Sequence, residues 1–195
     1  DADVAALIQR DHTTQKRLAL EELLAHNLSM QKLHRLHRAQ KAPAMQSGGK
    51  AETCFVENLP FELTGAQQRG AAEIRQDLEQ TRPMLRLVHG DVGSGKTVIA
   101  ALAALRASDN GYQTAITAPT ELLAEQHYRV FSTWLEPLGI KPVWLSGKVT
   151  GKKRSDALQR ISAGAELVIG THALMQKGVD FSRLGLVIVD EQHRF

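Results

Sequence analysis

Gly90-Asp91-Val92-Gly93-Ser94-Gly95-Lys96-Thr97 fits the phosphate-loop pattern G-x-x-x-x-G-K-[ST] at every specified position, and the fold is read outward from it. The apolar run 84–88 enters the loop and the alanine-rich run 98–105 leaves it, which predicts a strand, a turn and a helix in that order. Glycines allow successive backbone N–H groups to turn inward around phosphate oxygens, and a helix starting near Gly95 adds its positive dipole end. All eight residues, Gly90, Asp91, Val92, Gly93, Ser94, Gly95, Lys96 and Thr97, are therefore candidate phosphate ligands. Lys96 is expected to reach the β- and γ-phosphates and Thr97 to place its hydroxyl on Mg2+. The bland alternative is a glycine-rich turn with an incidental lysine, and the flanking strand and helix argue against it.

Beyond the loop, short β-branched runs alternate with helical ones. Strands are expected at 113–118, 142–145, 166–170 and 185–189, with helices at 120–135 and 151–163 between them. That alternation predicts an α/β fold, a mostly parallel sheet with helices on both faces. The last run, 184–189, reads as a strand buried on both faces, and it delivers Asp190 and Glu191 to the carboxyl edge, where open α/β sheets bind ligands. Asp190 is the candidate second holder of Mg2+, through a water, and Glu191 the candidate base for an attacking water. Adjacent acids favour hydrolysis over transfer to a small acceptor, so a nucleotide kinase is the weaker enzyme reading. A binding module that uses ATP only as a ligand needs no Glu191 and stands as the reading from another class.

Upstream of the loop, Leu20, Leu23, Leu24 and Leu28 recur at helical spacing and predict one long amphipathic helix over 14–40 that needs something to pack against. A shorter helix is expected at 3–9. Lys32, His34, Arg35, His37, Arg38 and Lys41 end the long helix without an acid, which suits either a solvated last turn or a phosphate-facing one. Residues 42–52 lose all periodicity and read as a linker. Thr64 then caps a helix running to about Gln80, and Pro83 ends it. These readings divide the chain into a helical segment with linker, 1–50, and an ATP-binding domain, 51–195. The basic stretch Lys148, Lys152, Lys153, Arg154 and Arg160 fits a DNA contact and a solvated helix start equally well.

A chain of 195 residues with net charge +3 holds one sizeable core plus an appendage. No apolar run approaches the roughly 18 residues a membrane span needs. The lone Cys54 reads as a reduced side chain, which suits a reducing cytoplasm. Asp1 is not a start methionine and Phe195 follows directly on a charged motif, so the chain is expected to be a piece of a longer protein.

Asp190-Glu191-Gln192-His193 resembles the DEAD/DExH-type motif of superfamily-two helicases. Phe61, Thr64 and Gln67 resemble the family's adenine-reading Q-type motif; Ala118-Pro119-Thr120-Glu121-Leu122-Leu123-Ala124 resembles motif Ia, and Gly170-Thr171-His172-Ala173-Leu174 motif Ib. The resemblance implies a RecA-like phosphate-loop domain using ATP and Mg2+, with Phe61 and Gln67 on the adenine and Thr120, Thr171 and His172 near nucleic-acid phosphates. It further implies that Gln192 and His193 couple hydrolysis to movement. Within the family the strings are similar to the monomeric ATP-dependent DNA helicases that remodel stalled forks and Holliday junctions. Ser94 and Gln192 favour them over the alternative, transcription-repair coupling translocases, which typically read Gly-Phe-Gly-Lys-Thr and Asp-Glu-Glu-His. Motif III and a second RecA-like domain supplying an arginine finger are expected to lie beyond Phe195.

Overall fold

The computed structural model describes residues 12–46, 49–91 and 93–192, in two compact units that divide between Lys41 and Ala42. The helix expected at 3–9 lies outside the described residues. The described residues of the first unit form one helix, α1 (Thr13–Ala39), steadied locally by the Arg17–Glu21 ion pair and the Gln31–Asn27 amide bond, each four residues apart. Its Leu20, Leu23, Leu24 and Leu28 are all exposed.

The second unit is an α/β layer structure. Its elements in order are α2 (Lys50–Glu57), α3 (Gly65–Leu78), α4 (Lys96–Asp109), β1 (Gln113–Thr117), α5 (Glu121–Leu135), β2 (Val143–Leu145), α6 (Gly151–Ser162), β3 (Leu167–Gly170) and β4 (Leu184–Val189). The four strands are parallel and ordered β2-β3-β1-β4, with Ala115 level with Val168 on one side and Val187 on the other. Alternation along the strands sorts the core into two faces. Ile116, Leu167, Ile169 and Leu186 pack with α2, α3, α4 and α5, whereas Ala115, Val143, Leu145 and Val168 pack with Ala157 and Ile161 of α6. Gln113, buried at the start of β1, uses both ends of its amide: Nε2 donates to Ile161 and Ala165 carbonyls, and Oε1 accepts from Ser182 Oγ and the Arg183 N–H. One side chain thus ties the amino edge of β1 to the ends of two neighbouring segments.

Three expectations are corrected. Residues 84–88 form no strand: Leu85 is 81% and Leu87 75% exposed, and only Met84 packs partly against the core. A strand exists through its ladder, and β4, the edge of the sheet, has no described partner on its outer side. For the same reason β4 is not buried on both faces. Leu186 is covered by the helix layer, but Val187 and Val189 point to the other face, where the buried cluster under α6 takes in residues of β1, β2 and β3 and none of β4.

The stretch read as a linker also has structure. Ala42 and Met45 donate to the carbonyls of Thr81 and Leu78, Met45 is fully buried, and α2 follows with Phe55 in the core.

Candidate nucleotide site

The phosphate loop and the acidic pair lie at the same, carboxyl, edge of the sheet because of how α4 runs. This helix packs on β1 and β4 and leads into β1 through the short turn 110–112, so it lies antiparallel to the strands. Its amino end, Lys96 and Thr97, is therefore at the edge where β1 and β4 finish. Gly93 and Gly95 have φ of +84° and +81°, conformations that glycine adopts without steric cost. The Ser94 N–H closes the turn on the Asp91 carbonyl, and Lys96 Nζ donates to the carbonyls of Gly90 (2.6 Å) and Asp91 (2.9 Å). Among the described residues the ammonium is thus held over the loop by two neutral acceptors, and an ammonium has a third N–H to offer a phosphate oxygen. Val92 lies outside the described residues.

Gln67 joins α3 to this loop. Its Oε1 accepts from the Thr64 N–H and the Gln67 N–H bonds Thr64 Oγ1, a reciprocal capping box, while Nε2 donates to the Ser94 carbonyl at 3.0 Å. Gln67 is buried, whereas Phe61, read with it as an adenine contact, is 45% exposed.

At the other side of the edge the Asp190 N–H donates to the Thr117 carbonyl, which continues the β1–β4 ladder by one bond. Asp190 Oδ2 lies 2.7 Å from His127 Nε2 on α5. Glu191, half-buried, has φ of +50°; this left-handed conformation costs a non-glycine residue about 1–2 kcal/mol and turns its side chain out of the strand's alternation. Gln192 is exposed and His193 lies outside the described residues. The donor set suits Mg2+ carried on phosphates: one carboxylate, Asp190, and one hydroxyl, Thr97, hard oxygens that leave room for phosphate and water ligands. Among the described residues no cluster of three His, Cys, Asp or Glu side chains could hold a metal by itself.

The two threonines expected near nucleic acid are placed differently. Thr120 is exposed and caps α5, its Oγ1 accepting from the Leu123 N–H. Thr171 is only 3% exposed and caps a single 3-10 turn, 172–175, through the Ala173 N–H, whereas His172 beside it is exposed. In the basic stretch, Lys148 pairs with Glu121, and their hydrogen bond holds the Glu121 carboxyl below its usual range and the Lys148 amine above its own. Arg160 donates to the Lys141 carbonyl, and Lys152 and Lys153 remain exposed. Sequence reasoning gave no role to His127, although it closes the string 118–127 that begins with motif Ia. No spacing rule joins it to Asp190, 63 positions away.

Residues 65–195 match the DEAD/DEAH box helicase family. ATP-dependent DNA helicase RecG of Haemophilus influenzae is 52% identical over the whole chain, which spans 28% of that protein's length. The protein of the same name from Escherichia coli (strain K12) is 51% identical over 94% of the chain and 27% of its own length. The solved structure of RecG bound to a three-way DNA junction superposes with a TM-score of 0.84 at 43% identity, covering 92% of this chain and 25% of the other. The chain thus spans about a quarter of the length of the curated relatives it matches. No helix among the described residues is long and apolar enough to cross a membrane. The chain belongs to the DEAD/DEAH box helicase family.

Proposed function

We propose that these residues are the ATP-binding half of a DNA-driven motor that remodels stalled replication forks and Holliday junctions in recombination and repair, acting as a monomer in the bacterial cytoplasm. The observation that carries this reading is the placement, at one sheet edge, of both the Lys96–Thr97 helix end and the Asp190–Glu191 pair. Identity near one half with proteins named as ATP-dependent DNA helicases supports it, as does likeness to a relative solved on a three-way junction.

In this reading the loop N–H groups and Lys96 bind the β- and γ-phosphates, while Gln67 and Phe61 receive the adenine. Gln67 has one amide hydrogen and one oxygen lone pair left after its bonds to Ser94 and Thr64, enough for a base edge. Thr97 and Asp190 hold Mg2+, which when bound offsets the charge on the phosphate oxygens. Glu191 orients the attacking water and takes its proton. Thr120 and His172 face the DNA backbone, with Thr171 shaping that turn as its cap, and Gln192 and His193 relay hydrolysis to movement.

The test is Mg2+-dependent ATP hydrolysis by the protein at the length of its relatives, with and without branched DNA. Lys96→Ala should remove turnover and most nucleotide affinity. Glu191→Gln should lower turnover by at least about 10²-fold, at the lower end of general-base contributions, while ATP stays bound. Nucleotide binding with no hydrolysis and no response to DNA would replace the motor with a binding module.

A further inference from the structure

His127 has no part in the roles assigned above, yet it touches the residue on which the metal reading depends. It lies two turns into α5 from the Thr120 cap, with Nε2 2.7 Å from Asp190 Oδ2. An ionised carboxylate offers only acceptor positions, so Nε2 carries the hydrogen and donates it. The ring direction is fixed independently. Phe131, one turn further along α5 and fully buried, meets the imidazole edge-on with centroids 6.4 Å apart. The Asp190 backbone is fixed separately, by its N–H on the Thr117 carbonyl. Main chain and one carboxylate oxygen are therefore held from two different elements, the sheet and α5. The imidazole and carboxylate are 18% and 31% exposed, sheltered enough for the bond to persist against water.

We propose that His127 is a positioning residue for Asp190: by engaging Oδ2 it sets the carboxylate's rotation and leaves the other oxygen to serve the nucleotide-bound ion. Carboxylates that serve metals act through such outer hydrogen bonds, whose loss typically costs about 10–100-fold in metal affinity or activity. The proposal rests on the nucleotide-site reading above and adds a residue that reading does not contain. The competing explanation is mechanical, a helix-to-sheet tie that stabilises the fold without tuning the site.

Three variants of the full-length protein separate the two. His127→Gln places an amide N–H close to where Nε2 stands; His127→Asn is polar but too short to reach Oδ2; His127→Leu fills the space with no donor. Two quantities are read: the kcat and KM of DNA-stimulated ATP hydrolysis, and the affinity of Mn2+ for the protein bound to a non-hydrolysable ATP analogue, followed by electron paramagnetic resonance. The expected result is a kcat and a Mn2+ affinity each lowered about 10–100-fold in the Asn and Leu variants, with analogue binding in EDTA unchanged and the Gln variant recovering most of both. Unchanged Mn2+ affinity in the Asn variant overturns the proposal. So does a Gln variant as impaired as the other two, because a tie between elements would not depend on a donor at that one position. Wild-type protein with no Lys96-dependent hydrolysis would instead remove the nucleotide-site reading itself, and this inference with it.

Discussion

Gly95 is the residue at which the phosphate loop, its helix and the preceding helix constrain one another. At φ of +81° a side chain meets the left-handed penalty, and a Cβ there would stand 2.1 Å from Gln67 Nε2. Gln67 can swing away only by giving up Ser94 and its half of the capping box. Gly95→Ala should therefore cost about 1–2 kcal/mol for the backbone and about 1 kcal/mol more for the displaced cap. In a Gln67→Ala background the second cost disappears. A double-mutant cycle by urea unfolding should show about 1 kcal/mol of coupling, and strict additivity would mean that the two residues do not touch. At this scale local pattern in the sequence was enough to nominate Lys96, Thr97, Asp190 and Glu191 as candidates, and the structure sets them at the helix start and strand end that the pattern implied. It was not legible where a residue answers to a distant one. Gln67 read as a base contact while its bond to Ser94 was hidden, and Thr171 read as a phosphate contact although its hydroxyl is buried in a cap.

Elements were legible in proportion to their periodicity. The helices after Thr64, Gly95 and Thr120 and the four strands of the sheet stand within a few residues of expectation, because each carries a repeat of apolar positions or a capping signal. The segment 42–57 carries neither. It is anchored by single residues, Met45 and Phe55, and by Arg106, which in an alanine-rich helix looks like a solvated position. Arg106 is in fact 2% exposed; its Nε donates to the Met45 carbonyl and its Nη2 to Glu79 at 2.6 Å, with Glu52 3.9 Å from Nη1. Arg106→Ala leaves the Met45 carbonyl without its donor, whereas Glu52 keeps Arg75 at 2.6 Å and the exposed Glu79 can turn to water, so the second unit should lose about 1–3 kcal/mol. The loss should be local at first. Hydrogen exchange should rise in α2 and around residue 45 before it rises in β1 and β3, and uniform protection across the unit would contradict the role given to Arg106.

At the scale of the whole molecule the fold class was legible and the order of the strands was not. Alternation of strands and helices dictates a parallel sheet, but the arrangement β2-β3-β1-β4 depends on which crossovers bury which face, information that no single segment holds. The same limit applies to function. The 195 residues bring a phosphate-loop sequence, a candidate metal carboxylate and a candidate base to one sheet edge, and they span about a quarter of the relatives' length. Charge developing on the transferred phosphoryl group is stabilised in this class of chemistry by an arginine delivered from another domain, worth about 10³–10⁵ in kcat. Assayed alone, the chain should bind ATP through the Lys96 loop yet hydrolyse it about 10³–10⁵-fold more slowly than the protein at its relatives' length, with no stimulation by branched DNA. Phosphate release measured side by side decides the matter. Turnover within ten-fold of the longer protein would mean that Lys96, Asp190 and Glu191 suffice, and the motor would then have to draw its DNA dependence from something other than completion of the nucleotide site.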